Sequence, residues 1–218
     1  MLTLYYAPGS LAFAPHMVLE ELGLPHALER ILTGEEQHRT AAYLKINPRG
    51  LLPALVLDDG QVLIETAAVL QYLAALRPEA GLVPSDPLVR ARCHEWLSVI
   101  GTGLQPAYAL IGRPDRFTPD ATTHASLSAA ARVRFMEILR FCESRVPEQG
   151  WLVGDYTVAD PYLTVMVLWA RHNRLPLEDL PRLNAWFGRV ATRPSFASTL
   201  RAEGLIDASG KPTPPARV

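Results

Sequence analysis

The apolar positions in the first third of the chain change their spacing from one segment to the next. A short apolar run at Leu2–Tyr6 is typical of a strand, whereas residues 13, 17, 18 and 22 recur at helical spacing and predict a helix over Phe13–Leu22, ended by Gly23. His26–Leu32 has the character of a second strand. Because a helix separates the two strands, we expect a parallel pair joined by a right-handed crossover.

Two further apolar runs predict an antiparallel hairpin. Leu55–Leu57 and Val62–Ile64 flank Asp58-Asp59-Gly60, which carries the Asp-Gly signal of a tight turn. The next residues, to about residue 76, favour a helix with Thr66 as its N-terminal cap. The polar stretch 33–43 is only weakly helical, so the predicted order is β-α-β, an irregular helix, then β-β-α.

Helical spacing dominates the second half, where no strand pattern follows Pro87. Residues 77–87 are rich in proline and small residues and predict a linker. We expect helices, the first kinked near Pro106, over residues 88–111, 120–146, 181–192 and 195–203. Another apolar helix follows Thr157-Val158-Ala159-Asp160, which has the form of a capping box. The tail, residues 206–218, is expected to be flexible.

Composition narrows the classes of partner. A formal net charge of −1 over 218 residues gives no reason to expect nucleic acid or a membrane surface. No apolar run approaches the roughly 20 residues that span a bilayer, and the N-terminus lacks the pattern of a signal peptide. Cys93 and Cys142 lack close cysteine partners and predict buried thiols, and the six histidines show no ligand spacing. We therefore expect a cytoplasmic protein without a metal.

The hairpin offers two groups to a small peptide. Pro53 stands just before the first hairpin strand, which leaves the backbone of Leu52 to pair with something other than the sheet. An extended peptide can bind there by edge pairing. The predicted helix start at Thr66 favours a carboxylate. A short peptide with a terminal carboxylate fits this pair of features, and the alternative is an ordinary hairpin followed by a capped surface helix.

The motifs of this region resemble the glutathione site of cytosolic glutathione transferases. The resemblance rests on Asn47-Pro48, Leu52-Pro53-Ala54-Leu55 and Glu65-Thr66, and the Thr157-x-x-Asp160 box agrees with it. It implies a thioredoxin-like α/β domain over residues 1–77, an all-α domain over residues 88–205, and a homodimer. It also implies a cis peptide before Pro53, pairing of Leu52 with the cysteinyl backbone of glutathione, and binding of the γ-glutamyl end by Glu65 and Thr66.

The start of the chain resembles a particular group within that family. Tyr5-Tyr6-Ala7-Pro8-Gly9-Ser10 is similar to the opening of insect-type and theta-like transferases, in which the serine stabilises the thiolate of glutathione. The resemblance implies Ser10 as the catalytic residue, with Tyr5 or Tyr6 as the fallback, whereas the alternative is that Ser10 only caps a helix. The bacterial beta class is also similar, but its catalytic cysteine and histidine positions hold Leu11 and Gln105 here.

The remaining contacts are less specific. His38 has the spacing from Asn47 of the histidine that binds the glycyl carboxylate in insect-type enzymes, although a lone loop histidine is also often solvated. Its neighbours Gln37 and Arg39 are alternatives for the same contact. Arg49 is a weaker candidate for glutathione. An apolar wall with one cation suits a hydrophobic electrophile. The candidates for it are Leu11, Phe13, Tyr108, Ile111 and Arg113, with packing of Tyr108 and Ile111 in the interdomain core as the alternative.

The resemblance implies a glutathione transferase that joins the thiolate of glutathione, as co-substrate, to a hydrophobic electrophile. One alternative is a non-catalytic protein that binds glutathione or another ligand. Another is a glutathione-dependent isomerase or dehalogenase, which shares the binding half. A disulfide oxidoreductase does not fit, because residues 10–13 contain no cysteine to act as nucleophile.

Overall fold

A four-stranded mixed sheet forms the first part of the molecule. The computed structural model describes residues 1–207 and 209–212. Strand β1 (Leu2–Tyr6) pairs in parallel with β2 (His26–Arg30) and antiparallel with β3 (Ala54–Val56), which pairs with β4 (Val62–Ile64). The strand order is β2-β1-β3-β4. The predicted parallel pair and hairpin are therefore confirmed.

Three strand ends differ from the prediction. β2 stops at Arg30 rather than at Leu32, because the N–H of Leu32 already bonds the side chain of Gln37, 3.0 Å away. β3 starts and ends one residue earlier than predicted, since Ala54 pairs with β1 and β4 and the strand stops at Val56 rather than at Leu57. Apolar character alone cannot mark where ladder pairing gives way to a turn.

The chain between β2 and β3 is more regular than its polar sequence indicated. It forms two 3₁₀ turns, Thr33–Glu35 and Gln37–Arg39, and then helix α2 (Ala41–Ile46). The side chain of Thr40 accepts a hydrogen bond from the N–H of Tyr43 at 3.3 Å, which caps α2.

Helices α1 (Phe13–Leu22) and α3 (Thr66–Ala75) pack together in this unit. α1 ends at Gly23, whose φ of 57° is the left-handed conformation that glycine adopts without strain. The cap of α3 was predicted wrongly. Its N-cap is Glu65, and Thr66 is the first helical residue.

The rest of the chain is helical, and the helices are α4 (Pro87–Val99), α5 (Gln105–Gly112), α6 (His124–Arg145), α7 (Ala159–His172), α8 (Pro181–Ala191) and α9 (Pro194–Ala202). The predicted long helix is interrupted by a π-helical segment, Ile100–Leu104, just before Pro106. A widened turn at this point accommodates a proline, which has no N–H to donate. No helix in the described ranges is both long and apolar enough to cross a membrane.

Asp160 organises the start of α7 from a fully buried position. As a capping box predicts, its carboxylate accepts the N–H of Thr157 at 2.9 Å. It also accepts the N–H of Leu152 at 3.2 Å and the indole Nε1–H of Trp186 at 2.9 Å. In the standard capping box the Thr hydroxyl accepts the N–H of the fourth residue. Here the hydroxyl of Thr157 instead donates to the carboxylate of Asp160.

The chain forms two compact units. One comprises residues 1–83 with the chain from residue 190 onward, and the other comprises residues 84–189. Helix α9 packs on α1 in the first unit, where the rings of Phe13 and Phe196 meet edge to face with centroids 5.9 Å apart. The sequence had grouped α9 with the helical half. Domain borders at residues 77 and 88 remain a proposal.

The described part of the tail forms a local turn. Ile206 and Pro212 make an antiparallel bridge, and Asp207 accepts hydrogen bonds from Ser209 and Lys211. The prediction that residues 206–218 are flexible did not include this turn. Residues 208 and 213–218 lie outside the described part of the chain.

Candidate active site

Ser10 lies in the loop between β1 and α1 and is half-buried. Its Oγ accepts hydrogen bonds from the N–H of Ala7 at 3.4 Å and of Ala12 at 3.3 Å. Gly9, with φ of 70°, provides the left-handed turn that precedes it. Within the described residues the hydroxyl of Ser10 acts only as an acceptor. Its own proton is therefore available to a ligand.

The two tyrosines of β1 have different surroundings, as strand alternation predicts. Tyr6 is buried, and burial raises the pKa of its phenol, which keeps it neutral. Tyr5 is half-buried, and its ring lies 5.8 Å from that of Tyr43.

A buried carboxylate fixes the serine loop, and sequence reasoning missed it. Glu203, which follows α9, accepts the N–H of Gly9 at 2.7 Å through one oxygen. Its other oxygen lies 2.9 Å from Nδ1 of His16 in α1. Burial raises the pKa of Glu203, whereas its hydrogen bonds with His16 and Gly9 lower that pKa by a smaller amount. No local pattern could connect residues 194 positions apart.

The peptide before Pro53 is cis, as the family resemblance implies. The carbonyl of Leu51 is anchored by the hydroxyl of Tyr43 at 2.6 Å and by Nδ2 of Asn47 at 2.7 Å. None of the described residues hydrogen-bonds the N–H or C=O of Leu52. The backbone of Leu52 is thus held in place while its polar groups remain open to a ligand. Tyr43 was missed, because no motif identifies it.

Glu65 and Thr66 stand together at the start of α3. Glu65 has a φ of 71°, and its exposed carboxylate pairs with Arg49. Thr66 is buried. The N–H groups of Thr66 and Ala67 belong to the first helical turn and have no acceptor within the helix. This arrangement offers amide donors and a carboxylate to one end of a zwitterionic ligand.

His38 is not a solvated loop residue, because only 4% of its surface is exposed. Its 3₁₀ turn packs against the segment that leads to Pro53. A Cβ built on Gly50 would lie 2.9 Å from the carbonyl oxygen of His38, and Gly50 has a φ of 61°. Only glycine therefore allows the two segments to approach this closely.

Two of the residues expected to contact a second substrate belong to cores. Phe13 is wholly buried against Phe196, so it offers no surface to a ligand. Ile111 is also buried, and its carbonyl accepts a hydrogen bond from Ser128 at 2.9 Å. Leu11, next to Ser10, is 7% exposed. Phe13 has no exposed surface, so its assignment as a contact residue is corrected, since apolar spacing marks a buried face without showing what covers it. For Ile111, 6% exposed, and Leu11 the assignment stays a prediction.

Tyr108 and Arg113, both in the second unit, keep accessible surface. Tyr108 stacks on Trp169 with ring centroids 4.1 Å apart, and its hydroxyl accepts from Nδ2 of Asn173 at 2.8 Å. Arg113 is exposed and pairs with Asp115 at 2.9 Å. Trp169 was missed, although it extends the aromatic surface of Tyr108.

Two family models match the sequence. One, described as glutathione S-transferase, N-terminal domain, covers residues 10–76, and the other, described as glutathione S-transferase, C-terminal domain, covers residues 104–194.

Individual proteins match over 73% to 94% of the chain. A glutathione S-transferase GstA of Escherichia coli O157:H7 is 34% identical over 93% of this chain and 98% of its own length. A maleylacetoacetate isomerase of Pseudomonas aeruginosa is 30% identical over 73% of this chain and 76% of its own. A solved glutathione transferase homologue from Sulfitobacter, with bound glutathione, superimposes with a TM-score of 0.90 at 30% identity and covers 94% of this chain and 99% of that one.

Proposed function

Because the chain belongs to the glutathione S-transferase family, we propose that it joins the thiolate of glutathione to a hydrophobic electrophile, with Ser10 as the thiolate donor. The observation that carries the role of Ser10 is its hydrogen bonding. Two backbone N–H groups donate to its Oγ, which polarises the hydroxyl and leaves its proton free for an anionic sulfur.

The hydroxyl of Ser10 and the start of α1 can together supply the free energy needed to lower the pKa of the thiol. A free thiol has a pKa of about 8.5, and lowering it by about 2 units needs roughly 2.7 kcal/mol of preference for the thiolate. A hydrogen bond to a charged acceptor contributes roughly 1.5–3 kcal/mol. α1 begins three residues after Ser10, and a helix N-terminus adds some tenths to about 1 kcal/mol for a nearby anion.

Glutathione itself is held, in this proposal, by the groups around the cis peptide. The open backbone of Leu52 pairs with the cysteinyl residue, because neither of its polar groups is used by the described part of the fold. Glu65 and the amides at Thr66 take the γ-glutamyl end, and Arg49 orients the carboxylate of Glu65. His38 binds the glycyl carboxylate.

The electrophile is proposed to lie against Tyr108 and Arg113. The face of the stacked ring pair suits a planar or apolar body, and the exposed guanidinium suits a polar or anionic group on the same molecule. The thiol proton is lost to solvent, and the thiolate sulfur forms a bond to the electrophilic carbon. In a substitution the leaving group departs as an anion with the electron pair of its bond to this carbon, and in an addition the π bond breaks and its electrons take up a proton from solvent.

A glutathione-dependent isomerase is the second candidate, favoured by the similarity to the isomerase of Pseudomonas aeruginosa. It would use the same thiolate, but glutathione would be released unchanged after each turnover. Counting the glutathione consumed per product formed separates the two: conjugation consumes one equivalent, whereas isomerisation consumes none.

The test of the Ser10 assignment is a titration of the bound thiol. Thiolate ultraviolet absorbance of glutathione is followed against pH in the presence of the wild type, S10A and the control S98A, whose serine is exposed on α4. Calorimetry at the same pH values confirms that glutathione is bound. Turnover is measured with a panel of aromatic and aliphatic electrophiles.

The wild type and S98A should both bind glutathione with a thiol pKa well below 8.5. S10A should bind it with a thiol pKa back near that value and turn over on the order of 10- to 100-fold more slowly. Unchanged turnover in S10A would reject Ser10, and Y5F and Y6F would then be compared. Bound glutathione with an unshifted thiol in the wild type would favour a non-catalytic binding protein.

We also propose that the protein is a cytoplasmic homodimer. Cys93 and Cys142 are both free and buried, which suits a reducing compartment. Sedimentation equilibrium of the purified chain should give twice the monomer mass of 24.0 kDa.

A further inference from the structure

Two histidines and a glutamate converge on the side of α1 that faces β2. His16 and Glu20 lie one turn apart on α1, and His26 is the first residue of β2. One ligand atom of each lies within 4.8 Å of the others. Sequence spacing did not predict this cluster, because its members come from a helix and a strand.

His16 has one ring nitrogen engaged and one that is not. Its Nδ1 lies 2.9 Å from Oε1 of Glu203, and a carboxylate only accepts, so Nδ1 carries the proton. Nε2 is buried, and no group in residues 1–207 or 209–212 hydrogen-bonds it. A buried polar atom without a partner costs roughly 1–3 kcal/mol, which calls for an explanation. A neutral ring would present a lone pair at Nε2.

The other two side chains are held in the same manner. Nδ1 of His26 hydrogen-bonds the carbonyl of Leu24 at 2.8 Å, which leaves its Nε2 as the lone-pair nitrogen, 3.8 Å from Oε1 of Glu20. The second oxygen of Glu20 accepts from the hydroxyl of Ser198. Each of the three side chains thus has one polar atom that is hydrogen-bonded to a neighbour and a second that can serve as a ligand atom.

We propose that His16, Glu20 and His26 bind a divalent transition-metal ion, with zinc as the best match. Two imidazole nitrogens and one carboxylate oxygen are a ligand set that zinc favours, with water at the fourth position. The bonds from Glu203, Leu24 and Ser198 correspond to the outer hydrogen bonds that orient metal ligands in proteins. This revises the expectation, drawn from histidine spacing, that no metal is bound.

The dimensions of the cluster suit such an ion. Zinc bonds of about 2.0–2.1 Å in a tetrahedron place ligand atoms about 3.4 Å apart. The separation of 3.8 Å between Nε2 of His26 and Oε1 of Glu20 is already close to this, and since all three ligand atoms lie within 4.8 Å of one another, no separation must shrink by more than about 1.4 Å. Glu20 and His26 keep 26% and 12% of their side-chain surface exposed, so an ion can enter from solvent.

The test is a zinc titration of the full, tag-free protein after treatment with a chelator. Calorimetry is run on the wild type, on H26Q and E20Q, and on H94Q, which removes an exposed histidine from α4. H26Q and E20Q alter partly exposed side chains and should fold normally, which circular dichroism checks. Cobalt(II), added separately, reports coordination number through its visible absorption.

The wild type and H94Q should bind one zinc ion per chain with equal affinity, and H26Q and E20Q should bind it at least about tenfold more weakly. Zinc should raise the thermal midpoint of the wild type but not that of H26Q. Cobalt should give the intense visible bands of a four-coordinate site. Binding of equal strength in H26Q, no stoichiometric binding by the wild type, or the weak spectrum of six-coordinate cobalt would overturn the proposal.

Discussion

At the scale of a single residue, the proposed contact of His38 with the glycyl carboxylate of glutathione can be tested. If it binds the glycyl carboxylate of glutathione, H38Q should weaken glutathione binding by about tenfold, since a hydrogen bond to a charged group contributes roughly 1.5–3 kcal/mol. Calorimetry with glutathione and with its glycyl monoethyl ester gives the measurement. The ester lacks the carboxylate charge, so the wild type and H38Q should bind it almost equally.

H172Q is the matched control, because His172 is exposed at the end of α7. It should bind both ligands as the wild type does. If H38Q lost affinity for the ester as much as for glutathione, His38 would act through the packing of its buried turn and the carboxylate would need another partner, such as Arg39.

At this scale, sequence could place the residues that belong to short motifs. Ser10, Pro53 and the Glu65-Thr66 pair were proposed from short runs of adjacent residues and stay proposals, whereas the cis peptide that the resemblance implies is present. Tyr43 could not be found, because it acts through the carbonyl of a residue that has no distinctive side chain. The same holds for Glu203, whose partners lie in α1 and in the loop before it.

The start of α7 is the element whose stability depends most clearly on one side chain. D160A would leave four buried donors without this acceptor: the N–H groups of Leu152 and Thr157, the hydroxyl of Thr157 and the indole of Trp186. We expect a loss of roughly 3–5 kcal/mol in the free energy of unfolding. Urea denaturation measures this loss. D155A is the control, because Asp155 is a nearby residue whose side chain is exposed. A loss below about 1 kcal/mol would contradict the role of this cap.

The same residue makes a prediction about pH. Burial raises the pKa of Asp160 from 3.8 to about 6, so the folded state holds this proton more tightly than the unfolded state. Between about pH 4 and pH 6 the unfolded chain releases the proton first, and the free energy of unfolding falls as the pH rises. Below and above this window the contribution is constant.

Comparison with D160N isolates the effect, because asparagine is similar in shape and does not ionise. The unfolding free energy of the wild type minus that of D160N should decrease by on the order of 3 kcal/mol between pH 4 and pH 7. Denaturation curves at several pH values measure this difference. A difference that rises with pH would mean that the hydrogen bonds outweigh burial and lower the pKa of Asp160.

Elements were predicted better than their ends. Helical and strand spacing identified the β-α-β start, the hairpin and the helical second half, since periodicity reports the buried face. It could not show the π-helical segment at Ile100–Leu104, which preserves that face while widening one turn. It also placed the cap of α3 at Thr66, because the positive φ of Glu65 follows from the path of the chain rather than from its side chain.

At the scale of the whole molecule, α9 is predicted to stabilise the first unit. F196A removes the ring that packs on Phe13, and a buried Phe→Ala change costs roughly 3–5 kcal/mol. Amide hydrogen exchange should show protection in α1 falling by about 100-fold, with a smaller change in α6.

F141A is the control, since Phe141 is 44% exposed on α6. It should leave exchange in α1 unchanged. Equal losses of protection in α1 and α6 after F196A would mean that the two units unfold together, and the separate dependence of the first unit on α9 would be rejected.

The first unit is discontinuous along the chain, and this affects how it is made. A ribosome adds about 5–20 residues per second, so roughly 6 to 23 s pass between residue 83 and residue 196. During that time the face of α1 that Phe196 covers has no partner from α9 in the nascent protein. The N–H of Gly9, in the loop of Ser10, gains its acceptor, the carboxylate of Glu203, last of all. The proposed reactive serine is therefore fixed in place only after residue 203 has been synthesised and has left the ribosome.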